Sequence, residues 1–122
     1  MKDKIVFVVP CLRSGGAERV MILLANSLVE KGYRIEFIFT MDDVVSYELN
    51  PQIAISINYR NRNPLGQIKF IRKYMRQNKD AIYISFFTYQ NLYTLIAKTF
   101  LPIKVVVSER NDPRKTLYGR RG

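Results

Sequence analysis

The sequence predicts an α/β fold built on an open, mostly parallel twisted sheet with helices on both faces. Three observations carry that reading. Short β-branched and aromatic runs alternate with longer segments of helical period. The first run is almost wholly apolar, as in a strand buried on both faces. Glycine, proline and asparagine punctuate the joins between segments. Parallel strands need crossover helices, and right-handed crossovers wind such a sheet in both directions.

Lys4 to Val9 is the first strand, and Pro10 ends it. From Ala17 the period changes. Ala17, Val20, Met21, Leu24, Ala25, Leu28 and Val29 form one helical stripe. Gly32 stands where a helix end favours a left-handed residue. Arg34 to Thr40 is the second strand, rich in Ile and Phe. Asp42 to Asn50 reads as a loop with room for one helical turn, and Ile53 to Asn58 as a weaker third strand. Asn63 caps a helix whose first position is Pro64 and which runs to about Asn78. Its core-facing stripe is expected to be Leu65, Ile68, Ile71 and Met75. Ala81 to Phe86 is the fourth strand. Tyr89 to Phe100 is the third helix, with Leu92, Tyr93, Ile96, Ala97 and Phe100 on one face and Pro102 as its stop. Lys104 to Ser108 is the fifth strand. Beyond it, about 109–122, the chain turns polar and packs no further strand. The 122 residues fit one domain, and the sheet reads as unfinished, as though a longer protein had been cut there.

Composition removes several function classes. Hydrophobic residues make up 48%, enough for a core, and no apolar run approaches the roughly 20 residues of a spanning helix. The apolar run after Lys4 is too short for a signal-peptide core, so the expected compartment is the cytoplasm. Cys11 stands alone and there is no histidine. That removes an intramolecular disulfide and His-based triads, and no metal site is expected. Without a histidine to activate it, Cys11 reads as a small buried apolar residue. Lys and Arg outnumber Asp and Glu by 20 to 10, which favours anionic partners: phosphorylated ligands, an acidic membrane surface or nucleic acid.

Open α/β sheets bind ligands beyond the carboxyl ends of their strands. The loop after the first strand, Pro10-Cys11-Leu12-Arg13-Ser14-Gly15-Gly16-Ala17-Glu18-Arg19, places two glycines before a helix. Glycine lets a ligand approach the backbone, and a helix N-terminus offers free N–H groups, so a phosphate fits there. A tight turn that needs glycine for geometry alone fits equally. The loop lacks the spacing of a dinucleotide fingerprint and the Gly-Lys-Ser/Thr of a P-loop. Glu18 also suits the first turn of a helix, whose dipole favours a carboxylate.

This loop resembles the first loop of the family-four glycosyltransferases. The spacing to Leu24-Ala25 and Gly32-Tyr33 is similar to that family too. Two further segments share the likeness: Val107-Ser108-Glu109-Arg110-Asn111-Asp112-Pro113 after the fifth strand, and Ser85-Phe86 followed by Asn91. The resemblance implies the N-terminal, acceptor-side, Rossmann-like domain of a two-domain enzyme. Such enzymes transfer sugar from a nucleotide-sugar with retention of configuration, without a cofactor. Gly15 and Gly16, bordered by Arg13 and Ser14, would then approach the donor phosphates. Glu109, Arg110, Asn111 and Ser85 would bind acceptor or support the loop; for Glu109 an ion pair that only orders the loop fits as well. The donor would be held by a second domain absent from these residues, so this chain alone is expected to be inactive. The acceptor is expected to be a saccharide or lipid-linked glycan of cell-surface polysaccharide or glycolipid synthesis. The histidine that many members carry near the reaction centre is missing.

Lys69, Arg72, Lys73 and Arg76 recur at i, i+3, i+4 and i+7 and place four cations on one helical stripe. They are expected either to dock on an anionic membrane surface, peripherally on its inner face, or to form a solvated face. Two rival readings are a basic α/β module for nucleic acid and a stand-alone domain that homo-oligomerises through its sheet edge. The first is disfavoured because the aromatics do not interleave with the cations.

Overall fold

The computed structural model describes residues 3–12, 16–41, 49–85 and 87–107. The expected helical turn within 42–48 and the polar tail from 108 onward lie outside the described residues. Five strands and three helices alternate: β1 (Lys4–Val9), α1 (Gly16–Glu30), β2 (Arg34–Phe39), β3 (Ala54–Ile57), α2 (Pro64–Gln77), β4 (Ile82–Ser85), α3 (Thr88–Ala97) and β5 (Lys104–Val107). The strands form a single sheet in the order β3-β2-β1-β4-β5, and every pairing is parallel. This is a Rossmann-like open sheet with helices on both faces.

The apolar run of β1 explains its place at the centre. Val6, Phe7, Val8 and Val9 are all fully buried, alternately facing the two sides of the sheet. Phe7 and Val9 face α1 and pack with Phe37, Phe39, Met21 and Ala25. The Phe7 and Phe37 rings stack with centroids 5.0 Å apart. Val6 and Val8 face the other way and join Ile38, Tyr83, Ile71, Met75 and Ala97 beneath α2 and α3. The Tyr83 hydroxyl donates to the carbonyls of Asn78 (3.0 Å) and Tyr74 (3.3 Å). Burial, with Glu36 nearby, raises the pKa of this phenol well above its usual value.

Local signals set the joins. Gly32 has φ 96°, the left-handed conformation expected after α1. The Asn63 side chain accepts from the Gly66 amide at 2.7 Å, capping α2 ahead of Pro64.

Three expected helix faces are corrected. On α1, Met21, Ala25 and Val29 are buried as expected, but Ile22 joins them while Val20 and Leu24 are exposed. The apolar stripe spans more of the helix circumference than meets the sheet, and the helix settles on its Met21–Ile22–Ala25 side. On α2, Leu65 is exposed rather than in the core, along the groove between α2 and β3. On α3 the expectation holds only in part: Ala97 is buried and Tyr93 packs against the core as expected, but Leu92, Ile96 and Phe100 are exposed, and Gln90, Asn91 and Thr94 are buried beside Ala97. The helix also stops at Ala97, three residues early, and Phe100 lies in a turn with φ 64°.

Candidate functional site

The strand order places the site. From β1 the chain leaves for α1 on one face of the sheet, and from neighbouring β4 it leaves for α3 on the other. Connections diverging from adjacent parallel strands open a crevice at their carboxyl ends, the switch point where open α/β sheets bind ligands. Val8 and Ser85 are register partners there. Two helix N-termini face the crevice. Gly16 is the first residue of α1. α3 starts at Thr88 behind Phe87, which offers no capping side chain, and its first turn holds no acid. Among the described residues the first turn of α3 therefore supplies no carboxylate to its positive end, a place that favours an anion.

Beneath the crevice, polar side chains stitch the strand ends together. The Thr40 hydroxyl donates to Gln90 Oε1 at 2.6 Å. Gln90 Nε2 donates to Gln67 Oε1 at 3.3 Å, and Gln67 Nε2 to the Arg62 carbonyl at 2.8 Å. Asn58 Nδ2 donates to the carbonyls of Thr40 (3.1 Å) and Asn61 (3.0 Å). The Thr94 hydroxyl donates to the Gln90 carbonyl at 2.6 Å. β2, β3, α2 and α3 are therefore joined by one buried network, and among the described residues no buried side-chain polar atom lacks a partner. Asn91, its amide nitrogen turned toward the strand end, donates to Ser85 Oγ (2.7 Å), the Ser85 carbonyl (2.8 Å) and the Phe87 carbonyl (3.3 Å). Such satisfied networks rigidify what they connect.

Of the residues singled out from the sequence, Arg13, Ser14, Gly15, Glu109, Arg110 and Asn111 lie outside the described residues. Gly16 stands at the switch point. Ser85 is there too but fully buried, with its hydroxyl held by Asn91. Sequence reading overlooked Thr40, Gln67 and Gln90. Polar residues inside a largely apolar helix, Gln90, Asn91 and Thr94, were the available signal.

The four-cation stripe splits. Lys69, Lys73 and Arg76 are exposed. Lys69 and Lys73, with Arg60, flank a groove of about 670 Å³ between α2 and edge strand β3. That groove lies two strands from the switch point. Arg72 turns aside: its guanidinium donates to the Ala97 carbonyl (2.9 Å) and the Thr99 carbonyl (2.6 Å) at the end of α3. A cation there neutralises the negative end of that helix. Among the described residues no helix is long and apolar enough to cross a membrane.

Fold and crevice together define the class: a Rossmann-like parallel α/β fold with a crevice at the β1/β4 switch point. No protein-family model matches the chain. It is similar to a glycosyltransferase of Campylobacter jejuni subsp. jejuni serotype O:2, GalNAc-alpha-(1->4)-GalNAc-alpha-(1->3)-diNAcBac-PP-undecaprenol alpha-1,4-N-acetyl-D-galactosaminyltransferase. The two are 25% identical over 118 residues, which cover 89% of this chain and 33% of the relative. The chain therefore spans about a third of the length of this curated relative.

Proposed function

We propose that these residues form the N-terminal, acceptor-side domain of a retaining, nucleotide-sugar-dependent glycosyltransferase of family-four type. The observation that carries the reading is the switch point. It presents the first residue of α1, Gly16, beside the uncapped N-terminus of α3, in a chain similar to a glycosyltransferase. In the transfer step the bond between sugar and diphosphate breaks, and the leaving diphosphate gains negative charge. Amide donors and a helix dipole fixed beforehand at that place stabilise the charge as it develops. Gly15 and Gly16 supply the closely approachable backbone, and Arg13 and Ser14 border it. A second domain holds the nucleotide-sugar, and Ser85, Glu109, Arg110 and Asn111 serve the acceptor or its loop.

The relative's name specifies a glycan carried on undecaprenyl diphosphate. A lipid-linked acceptor is accordingly the class we propose here, within cell-surface polysaccharide or glycolipid synthesis. Such an acceptor brings the enzyme to a membrane. Lys69, Lys73 and Arg76 are exposed to meet an anionic surface, where each cation contributes about 1 kcal/mol.

The test uses protein expressed from the complete reading frame. Sugar transfer is followed from a panel of labelled nucleotide-sugars to lipid-linked acceptors extracted from membranes, and the product anomer is assigned by NMR. Retention of configuration is expected, with a loss of about 10²-fold in Gly16→Val. An inverted product, or turnover unchanged in Gly16→Val, refutes the assignment.

A further inference from the structure

We infer that edge strand β3 and the groove beside α2 take up an extended, acidic segment of a partner protein as a sixth strand. β3 and α2 carry this alone, without any residue of the β1/β4 switch point, so it holds whether or not the glycosyltransferase reading does.

β3 is an open edge. It pairs with β2 at one end of the sheet order β3-β2-β1-β4-β5. The Asn58 N–H donates to the Phe39 carbonyl at 2.9 Å. Peptide groups alternate in direction along a strand. Ala54 and Ser56 therefore turn their N–H and C=O groups to β2, and Ile55 and Ile57 turn theirs outward. Edges are commonly blunted by a charge, a proline or a bulge. Ala54-Ile55-Ser56-Ile57 holds no charge and no proline, and its register with Glu36 to Phe39 is unbroken. Four residues at about 3.3 Å each leave an edge of about 13 Å, which a segment of similar length spans.

The groove supplies what a bare edge lacks. Strand addition takes affinity from main-chain bonds and specificity from pockets for alternate side chains. Ser56 follows its register partner Ile38 toward α2, and with Asn58 it floors a cavity of about 670 Å³. Leu65, 59% exposed, and Phe70 wall that cavity from α2. Every second side chain of an added strand points to this floor and wall. The groove is also preformed. Asn58 Nδ2 bonds the Asn61 carbonyl, and Gly66 brings the first turn of α2 so close to that carbonyl that a Cβ there would overlap it. A site fixed beforehand loses less on binding.

Charge selects the occupant. Arg60, Lys69 and Lys73 line the groove and no carboxylate does. Glu36, on the same face of β2 as Ile38, is held by Lys4 Nζ at 2.8 Å. A segment with aspartate or glutamate at alternate positions therefore meets a complementary surface. A second copy of this chain does not. Pairing β3 with β3 would bring two sets of these three cations together, with no acid in either groove to offset them.

The test selects a phage library of random octapeptides on protein expressed from the complete reading frame. Enrichment of peptides with acidic residues at alternate positions is expected. The strongest synthetic peptide is then titrated by fluorescence anisotropy. Ile55→Pro removes an outward N–H, a change that an edge strand tolerates. It is expected to weaken the peptide on the order of tenfold while the protein still melts cooperatively. N-methylation of alternate amides in the peptide is expected to do the same, and it leaves the protein untouched. Lys69→Glu with Lys73→Glu is expected to weaken binding by a similar factor. Enriched peptides without the acidic pattern, or a selected peptide whose affinity survives both Ile55→Pro and N-methylation, overturn the inference. A dimer in analytical ultracentrifugation that Ile55→Pro dissolves overturns it in favour of a second copy. If no peptide is enriched while phosphatidylglycerol vesicles bind through Lys69 and Lys73, it falls and those cations belong to membrane docking alone.

Discussion

Replacing Gln90 by methionine isolates the buried polar network under the crevice. Methionine keeps the length and flexibility of the side chain, so little volume is lost. What disappears is the acceptor for the Thr40 hydroxyl and the donor to Gln67. Thr40 retains a long alternative, the Val9 carbonyl at 3.4 Å, so its loss is partial. Gln67 Oε1 loses the Gln90 donor in a residue only 3% exposed. An unsatisfied buried polar group costs about 1–3 kcal/mol, so one full and one partial loss amount to roughly 2–4 kcal/mol. In urea, with a slope of about 1–3 kcal/mol/M for a domain of this size, the midpoint falls by on the order of 1–2 M. Urea unfolding followed by far-UV circular dichroism measures it. The triple variant Thr40→Val, Gln67→Met, Gln90→Met removes both sides of the two bonds but also the Gln67 donor to the Arg62 carbonyl, so it is expected to recover part of the loss. A Gln90→Met midpoint within about 0.2 M of the parent, roughly 0.5 kcal/mol, would refute the network's role.

Arg72→Ala removes two bonds to carbonyls at the end of α3 and is expected to cost about 1–2 kcal/mol, whereas Lys69→Ala and Arg76→Ala stay within about 0.5 kcal/mol. Thermal unfolding of the three variants checks this, and equal effects would mean that Arg72 is one more surface cation. Gly66→Ala would bring a Cβ to 2.2 Å from the Asn61 carbonyl oxygen; the backbone must shift, at about 1–3 kcal/mol, visible as a lower melting temperature. The pH dependence involves Tyr83. Its folded pKa is raised, so stability is fully present below the unfolded phenol value near 10 and is lost as pH climbs above it. Tyr83→Phe has no such phenol to ionise. Between about pH 9 and pH 11 the parent should therefore lose more stability than Tyr83→Phe; parallel curves would contradict the assignment.

Much of the fold was legible in the sequence because its signals are local. A near-continuous apolar run marks a strand buried on both sides, and β1 is that strand. Gly32 and the Asn63-Pro64 pair mark helix ends through backbone geometry and capping, which depend on neighbours within a few residues. Alternation of strands and helices then leaves little choice but a parallel sheet with crossovers on both faces. The place of the candidate site followed from the same logic, since Gly16 begins the helix after β1.

The sequence by itself determined that α2 and α3 are helices and that each carries cations or apolar residues at helical spacing. Tertiary structure decided which way they face. Periodicity defines a stripe but not its partner, and on α3 Leu92 and Ile96 turned outward while Tyr93 and Ala97 stayed on the core, where Gln90 and Thr94 found hydrogen bonds. Those partners are remote in the chain: Thr40 is 50 residues from Gln90, and Gln67 is 23. Arg72 reads as one of four equivalent cations until the carbonyls of Ala97 and Thr99, 25 and 27 residues on, are brought beneath it. Contacts of that range exist only once the sheet order is set, and they determine which stripes are core and which remain surface.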